Sequence, residues 1–300
     1  MRTGRRPLAG RLLRYVLERY SPIAYGPLVF ALVLAGQGGA ALAGGHSLDL
    51  TWSIVWATLA VGLGFLQLRV LDDLRDVEVD TLGRPDRPLP RGLVSRAELR
   101  SLAAGAAIVG IAVVVPLGIA ALGCYGLALG QVWLLASGRP DPSSTDRRVV
   151  ADAFSHSLIV PTMLAVGWAS AGPLGWRPEL ALTLVLSWGA GLALEVSRKT
   201  VTRAEERTGV ETYSGALGRP RALAMLAASL GAAAVGAALV AATAGASAAI
   251  AVLPVALVVV LIAAAVVTGG RLTTAAIRGT VPILVLGVLA WPSLLAWGLR

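Results

Sequence analysis

Residues Arg69 to Gly92 read RVLDDLRDVEVDTLGRPDRPLPRG, a block of acids and arginines joined directly to an apolar stretch. On a helix Asp73, Asp76 and Asp80 stand at i, i+3 and i+7, and Asp72, Asp76 and Asp80 at i, i+4 and i+8, so a narrow stripe would carry all four carboxylates. Like charges this close repel, which raises carboxyl pKa values unless a cation lies between them. Oxygen ligands with no His or Cys beside them suit Mg²⁺, which takes one or two carboxylates and completes its shell with water and substrate phosphate. Arg84, Arg87 and Arg91 follow on a proline-broken loop, where guanidinium forks could grip phosphate oxygens. The alternative is a solvated loop in which Asp and Arg neutralise one another. The spacing and the attached apolar segment favour the cation site.

A second acidic stretch, EVSRKTVTRAEERTGVETYSGALG, covers residues 195 to 218. A helix would align Glu195, Lys199, Thr202 and Glu206 on one face, with Arg198, Thr202 and Glu205 on the adjoining stripe. Lys199 is the chain's one lysine against 25 arginines, and a compact ammonium meets phosphate differently from a rigid fork. Glu195 and Lys199 also read as an ordinary i, i+4 pair where a helix leaves the membrane. Against that, Glu195 follows the run LALTLVLSWGAGLAL, at or near membrane depth, where ionisable groups are costly and tend to be functional. His156 lies within an apolar segment and reads either as a base or substrate contact, or as a histidine hydrogen-bonded to a neighbouring helix, with Asp152 one turn earlier as its partner. Tyr125 and Gln131 read as packing or pocket lining.

The elements that must position these residues are membrane spans. The chain has 300 residues, is 56% hydrophobic and 14% charged, and has a mean hydropathy of +0.74. Its 35 Gly, with abundant Ala, suit closely packed transmembrane helices. The single Cys124 excludes an internal disulfide. The basic N-terminal segment stays polar through Tyr20, so it does not read as a cleaved signal, and the first apolar segment reads as an anchor. At about 20 apolar residues per span, nine spans are expected near 23 to 43, 51 to 71, 97 to 117, 119 to 137, 150 to 171, 179 to 197, 222 to 243, 247 to 267 and 280 to 299. Eight is the alternative count, because the third and fourth are separated only by a short turn at Pro116 to Gly118.

With the N-terminus in the cytoplasm, only Arg177 and Arg300 of the 26 Lys and Arg fall on the far side, so the positive-inside rule is met. The net charge of +9 is then explained by orientation, and no aromatic and basic interleaving points to nucleic acid. Both acid-bearing loops fall on the inner side, four spans apart, which fits a parallel internal repeat with the two loops facing one another over a shared cavity. The eight tryptophans are mostly interfacial anchors, Trp52 and Trp297 among them.

These residues resemble the UbiA superfamily of intramembrane prenyltransferases. The family's first motif is Asn-Asp, then Asp three places on and Asp four further, followed by an Arg-Pro-Leu/Ile-Pro-x-Gly loop. Asp73, Asp76 and Asp80 match its aspartates, and Arg87, Pro88, Leu89, Pro90 and Gly92 match the loop, while Asp72 replaces the usual Asn and adds a negative charge. The second motif has drifted: Gly209 and Val210 match its tail and Glu205 its last aspartate, but Val201 stands where its first aspartate would be, with Glu195 and Glu206 as substitutes. The pattern is similar to a divergent bacterial branch.

The resemblance implies a single domain over 1–300, an all-α bundle of about nine helices in a bacterial-type plasma membrane. Residues 1–20 would form a basic cytoplasmic segment, and 72–96 and 198–221 cytoplasmic active-site loops. It further implies Mg²⁺ held by Asp72, Asp73, Asp76, Asp80, Glu195, Glu205 and Glu206, and an isoprenyl diphosphate held by Arg87, Arg198 and Lys199. Its tail would lie among the apolar helices, with His156 or Tyr213 taking the final proton. Metals bridging the two loops would make diphosphate a better leaving group, and an apolar cavity would shield the allylic cation until a small aromatic or lipid-like acceptor attacks. A UbiA-type terpene cyclase, in which the substrate's own double bonds quench the cation, is the alternative. A cation transporter is disfavoured because mid-span carboxylates are missing. Asp73→Ala or Asp76→Ala is expected to abolish turnover and leave the fold intact.

Overall fold

In the computed structural model the described residues are 7–137, 146–206, 210–267 and 273–298, with helix as the regular secondary structure throughout them. The elements are α1 (Leu8–Arg19), α2 (Pro22–Gly44), α3 (Trp52–Arg75), α4 (Val77–Gly83), α5 (Arg96–Val114), α6 (Ile119–Ser137), α7 (Asp146–Ser157), α8 (Ile159–Ala169), α9 (Pro178–Arg198), α10 (Tyr213–Leu217), α11 (Arg219–Thr243), α12 (Ala248–Val267) and α13 (Thr274–Gly298). Gly209 and most of the 138–148 loop lie outside the described residues.

Among the described residues eight helical spans are long and apolar enough to cross a membrane, and α12, Ala248–Val267, stands in the eighth of the nine expected places. The protein is an integral membrane protein. Span boundaries follow local chemistry. Pro178 and Pro220 open α9 and α11 in the first turn, where no intrahelical N–H is needed. Ser95 and Glu98 form a capping box at the start of α5, and Gly45 ends α2 in the left-handed conformation. The turn expected at Pro116 to Gly118 is a 3₁₀ turn, Val115–Leu117, closed by Gly118 at φ 97°.

Three features were not expected. The polar segment before Tyr20 is helical, and α1 buries Tyr15 against Val70, Leu99 and Ala103 of α3 and α5. The fifth span is two helices broken at Leu158, because Pro161 has no N–H to return to the carbonyl of Ser157. Finally α3 does not run on through the aspartates: Asp76, at φ −87° and ψ 6°, separates it from α4.

Small residues let the helices approach backbone to backbone. A Cβ on Gly36 of α2 would lie 2.6 Å from the Leu164 carbonyl of α8, and one on Gly189 of α9 would lie 2.7 Å from the Ala233 nitrogen of α11. Helices α2, α3, α8, α9 and α13 so packed surround one large cavity.

Candidate active site

The cavity has a volume of about 550 Å³, within the ~300–1,000 Å³ range of small-molecule sites. Its shaft is apolar, lined by Leu28 and Leu32 of α2, Phe65 of α3, Val160 of α8, Leu194 of α9 and Leu289 of α13. The mouth is polar and carries Arg69, Asp72, His156, Glu195, Arg198 and Arg278. Asp72, on the first acidic segment, and Glu195, on the second, therefore share a cavity, as the repeat of hairpins implied. Tyr20 and Tyr25 line it too, their rings stacked with centroids 4.9 Å apart.

Within the first motif the carboxylates separate rather than crowd one stripe. Asp72 faces the cavity, its Oδ2 4.0 Å from His156 Nε2. Its Oδ1 is buried and accepts no hydrogen bond among the described residues, the Arg75 guanidinium standing 3.5 Å away. Asp73, one residue on, turns to α1: Tyr15 Oη donates to it at 2.9 Å, and Arg19 donates through Nε at 2.8 Å and Nη2 at 2.6 Å. Asp76, at the helix break, accepts from Arg75 Nε at 2.9 Å and keeps 37% of its side chain exposed. Asp80 is buried against Arg87, with Arg84 at 4.0 Å. Among the described residues no three His, Cys, Asp or Glu side chains come together as a metal site. The physical reason is that every aspartate has an arginine within reach, and an adjacent opposite charge relieves the repulsion that a cation would otherwise have to relieve.

Arg87, Lys199 and Tyr213 do not line the cavity. Arg87 is held by Asp80. Lys199 pairs with Glu195 at 2.9 Å and sits 5.7 Å from the centre of the Tyr213 ring. Tyr213 is buried, and that burial, followed by the charge of Glu195, pushes its phenol up, so it holds its proton. Arg198 lies on the cavity and pairs with Glu195. His156 faces the cavity and Asp72; Asp152, its expected partner one turn away, is exposed and is not seen bonded to it.

Glu205 and Glu206 hold the second loop in shape. Glu205 accepts from the hydroxyls of Thr202 and of Thr274 at the start of α13, and these bonds lower its pKa to about 2. Glu206 accepts from Thr212 Oγ1 at 2.6 Å and Ser214 Oγ at 2.7 Å. Neither lines the cavity. Val201, where the family's aspartate would stand, is buried. The acidic residue that does reach the cavity is Glu195, ten residues before Glu205.

Residues passed over in the sequence complete the arrangement. Tyr15, Arg19, Arg69 and Arg278 surround the motifs, and Arg11 ties α1 to α5 through Glu98; Arg91, expected to grip phosphate, instead ties the loop to α1 through Glu18. The i, i+4 pair Tyr15 and Arg19 on an amphipathic pattern was the available signal for α1. Arg278, in a mildly polar loop region, gave none.

The donor set suits a hard cation. A buried carboxylate oxygen without a hydrogen bond at Asp72, the exposed carboxylate of Asp76 one turn on, and Glu195 on the same cavity supply oxygens only, which is the chemistry of Mg²⁺ carried by one or two carboxylates and substrate phosphate.

A sequence profile of the UbiA prenyltransferase family matches residues 29–278. A digeranylgeranylglyceryl phosphate synthase from Methanoculleus marisnigri is 50% identical over 44 residues, 15% of this chain and 16% of that relative, so the match spans about a sixth of the relative's length. The apo structure of a UbiA homolog from Aeropyrum pernix K1 aligns with a TM-score of 0.63 at 20% identity, covering 87% of this chain and 95% of that one. A UbiA homolog from Archaeoglobus fulgidus bound to DMAPP and Mg²⁺ aligns with a TM-score of 0.60 at 14% identity, covering 93% and 99%. These structural likenesses are of fold, and they agree with the bundle and its cavity. With 250 contiguous residues matched by the profile (29–278), the chain belongs to the UbiA prenyltransferase family.

Proposed function

We propose that the protein is an Mg²⁺-dependent intramembrane prenyltransferase that ionises an isoprenyl diphosphate and transfers the prenyl group to a small aromatic or lipid-like acceptor. The observation that carries this reading is the single cavity in which an apolar shaft ends at Asp72, Glu195 and Arg198. The binding of DMAPP and Mg²⁺ by the Archaeoglobus fulgidus homolog supports it.

The tail lies in the shaft among Leu32, Phe65 and Leu289, which places the C–O bond at the polar mouth. Arg69 and Arg198 hold the diphosphate oxygens. Asp72, Asp76 and Glu195 are the carboxylates that would hold Mg²⁺, which when bound would neutralise diphosphate charge and make it a better leaving group. Cleavage of the C–O bond leaves an allylic cation, which the apolar walls keep from water. The acceptor forms the new bond and gives up a proton, and His156, on the cavity wall, is the group within reach to receive it. Asp73, Asp80, Glu205, Glu206 and Lys199 act from behind by fixing α1 and the two loops. The N-terminus and both loops lie on the cytoplasmic side, where the arginines concentrate.

The test is incubation of purified protein with dimethylallyl, geranyl, farnesyl and geranylgeranyl diphosphates and Mg²⁺, with and without candidate acceptors, followed by mass spectrometry. Prenylated acceptor that disappears with EDTA and in Asp72→Ala is expected. A cyclic hydrocarbon formed without acceptor would replace the transferase with a cyclase, and intact diphosphate under every condition would refute both.

A further inference from the structure

The mouth of the cavity carries three guanidinium groups, Arg69, Arg198 and Arg278, and two carboxylates, Asp72 and Glu195. Arg69 stands 4.0 Å from Asp73, and Arg198 shares Glu195 with Lys199. Arg278 is different. It comes from α13, far in sequence from both acidic motifs, and among the described residues no carboxylate lies within ion-pair distance of it. Glu205 is near enough for its charge to be felt, yet is engaged by the hydroxyls of Thr202 and Thr274.

One nitrogen of Arg278 donates to the backbone carbonyl of Arg198 at 3.0 Å. That bond anchors the Arg278 guanidinium to the backbone at the end of α9, at the cavity that the Arg198 side chain also lines. Cations that line one apolar cavity repel each other unless an anion lies between them. Planar guanidinium forks match phosphate oxygens in pairs.

We propose that Arg278 is a diphosphate-binding residue, which closes the mouth of the cavity over the leaving group from the α13 side, with Arg198 on the α9 side. The inference rests on the prenyltransferase reading and adds a cation outside both acidic motifs. Glu205 then has a defined part: by tying Thr202 to Thr274 it sets the spacing between α9 and α13, and so between the two guanidiniums.

The test measures binding of geranyl thiolodiphosphate, which resists ionisation, with Mg²⁺, and binding of geraniol as the uncharged tail, to wild type, Arg278→Gln and Arg278→Lys. Gln can still donate to the Arg198 carbonyl but carries no charge, so thermal stability reports the structural role separately. The expected result is a roughly tenfold weaker Kd for the thiolodiphosphate in Arg278→Gln, partial recovery in Arg278→Lys, and unchanged geraniol binding and Tm. Equal binding of the thiolodiphosphate by wild type and Arg278→Gln would overturn the inference and leave the prenyltransferase reading standing. Parallel loss of geraniol binding or of Tm would overturn it as well, by making Arg278 a structural tie. Failure of wild type to bind the thiolodiphosphate would overturn both.

Discussion

Asp72 and Asp73 are adjacent in sequence and share a helix turn, yet one opens on the cavity and the other on α1. Successive helical residues differ by about 100° in direction, so neighbours cannot serve one site. Their substitutions are therefore expected to separate. Asp72→Ala removes a cavity oxygen that accepts no hydrogen bond, so turnover should collapse with stability within about 1 kcal/mol of wild type. Asp73→Ala leaves the buried Tyr15 hydroxyl and Arg19 guanidinium without their acceptor, and removing one partner of such a pair costs about 3 kcal/mol. A fall in Tm with faster hydrogen exchange over 8–19 would distinguish it from Asp72→Ala. The unperturbed fold expected of Asp73→Ala from the sequence is accordingly revised. Glu195→Ala is a third case: Glu195 is buried, but Arg198 and Lys199 are about half exposed and can turn to water, so a stability cost of about 1–2 kcal/mol is expected alongside lost turnover.

At the scale of elements, the second loop is held to α13 by Glu205 and to α10 by Glu206. Glu205 titrates near 2 instead of the ordinary 4.5 because its hydrogen bonds favour the carboxylate. A depressed folded pKa gives stability that is complete above the unfolded value, so this tie is whole above pH 4.5 and weakens progressively as pH falls toward about 2. Hydrogen exchange of residues 199–206 in detergent should be flat from pH 7 to 5, after correction for intrinsic rates, and should accelerate between 4.5 and 2. In Glu205→Gln the acid-dependent step should be absent, and its persistence would assign it to another carboxylate. Helix α1 is an equivalent strap on the first loop, fixed through Arg19, through Arg11 to Glu98, and through Glu18 to Arg91, whose bond lowers the Glu18 pKa.

For the whole molecule, the cavity exists because the helices around it touch elsewhere through glycine. Gly189 seats α9 against α11, and α9 carries Glu195 and Arg198 to the mouth. Gly189→Ala would place a methyl 2.7 Å from the Ala233 nitrogen and 2.8 Å from the Ser229 carbonyl, backbone atoms that cannot step aside singly. The helices must then part, at a cost of about 1–3 kcal/mol. Lower Tm together with a raised KM for the diphosphate is expected, although residue 189 lies a turn and a half from Glu195. Gly123→Ala, whose Cβ meets nothing within 4 Å, is the control and should match wild type.

The sequence by itself determined what depends on local composition. Apolar runs of membrane length set the span positions to within a few residues, proline and glycine set their ends, and a block of acids and arginines after span two marked one end of the cavity. It also gave Glu195, because a carboxylate at the end of an apolar run has little reason to be there otherwise. What only the tertiary structure decided is which acids face the cavity and which are taken by arginines, since an aspartate's partner depends on the helix that packs beside it. Arg19 meets Asp73 across 54 residues, Thr274 meets Glu205 across 69, and Arg278 reaches the Arg198 carbonyl across 80. Periodicity along one helix carries no record of such pairings: it fixes direction about that helix's own axis, while the neighbour met in that direction is set by packing of the whole bundle.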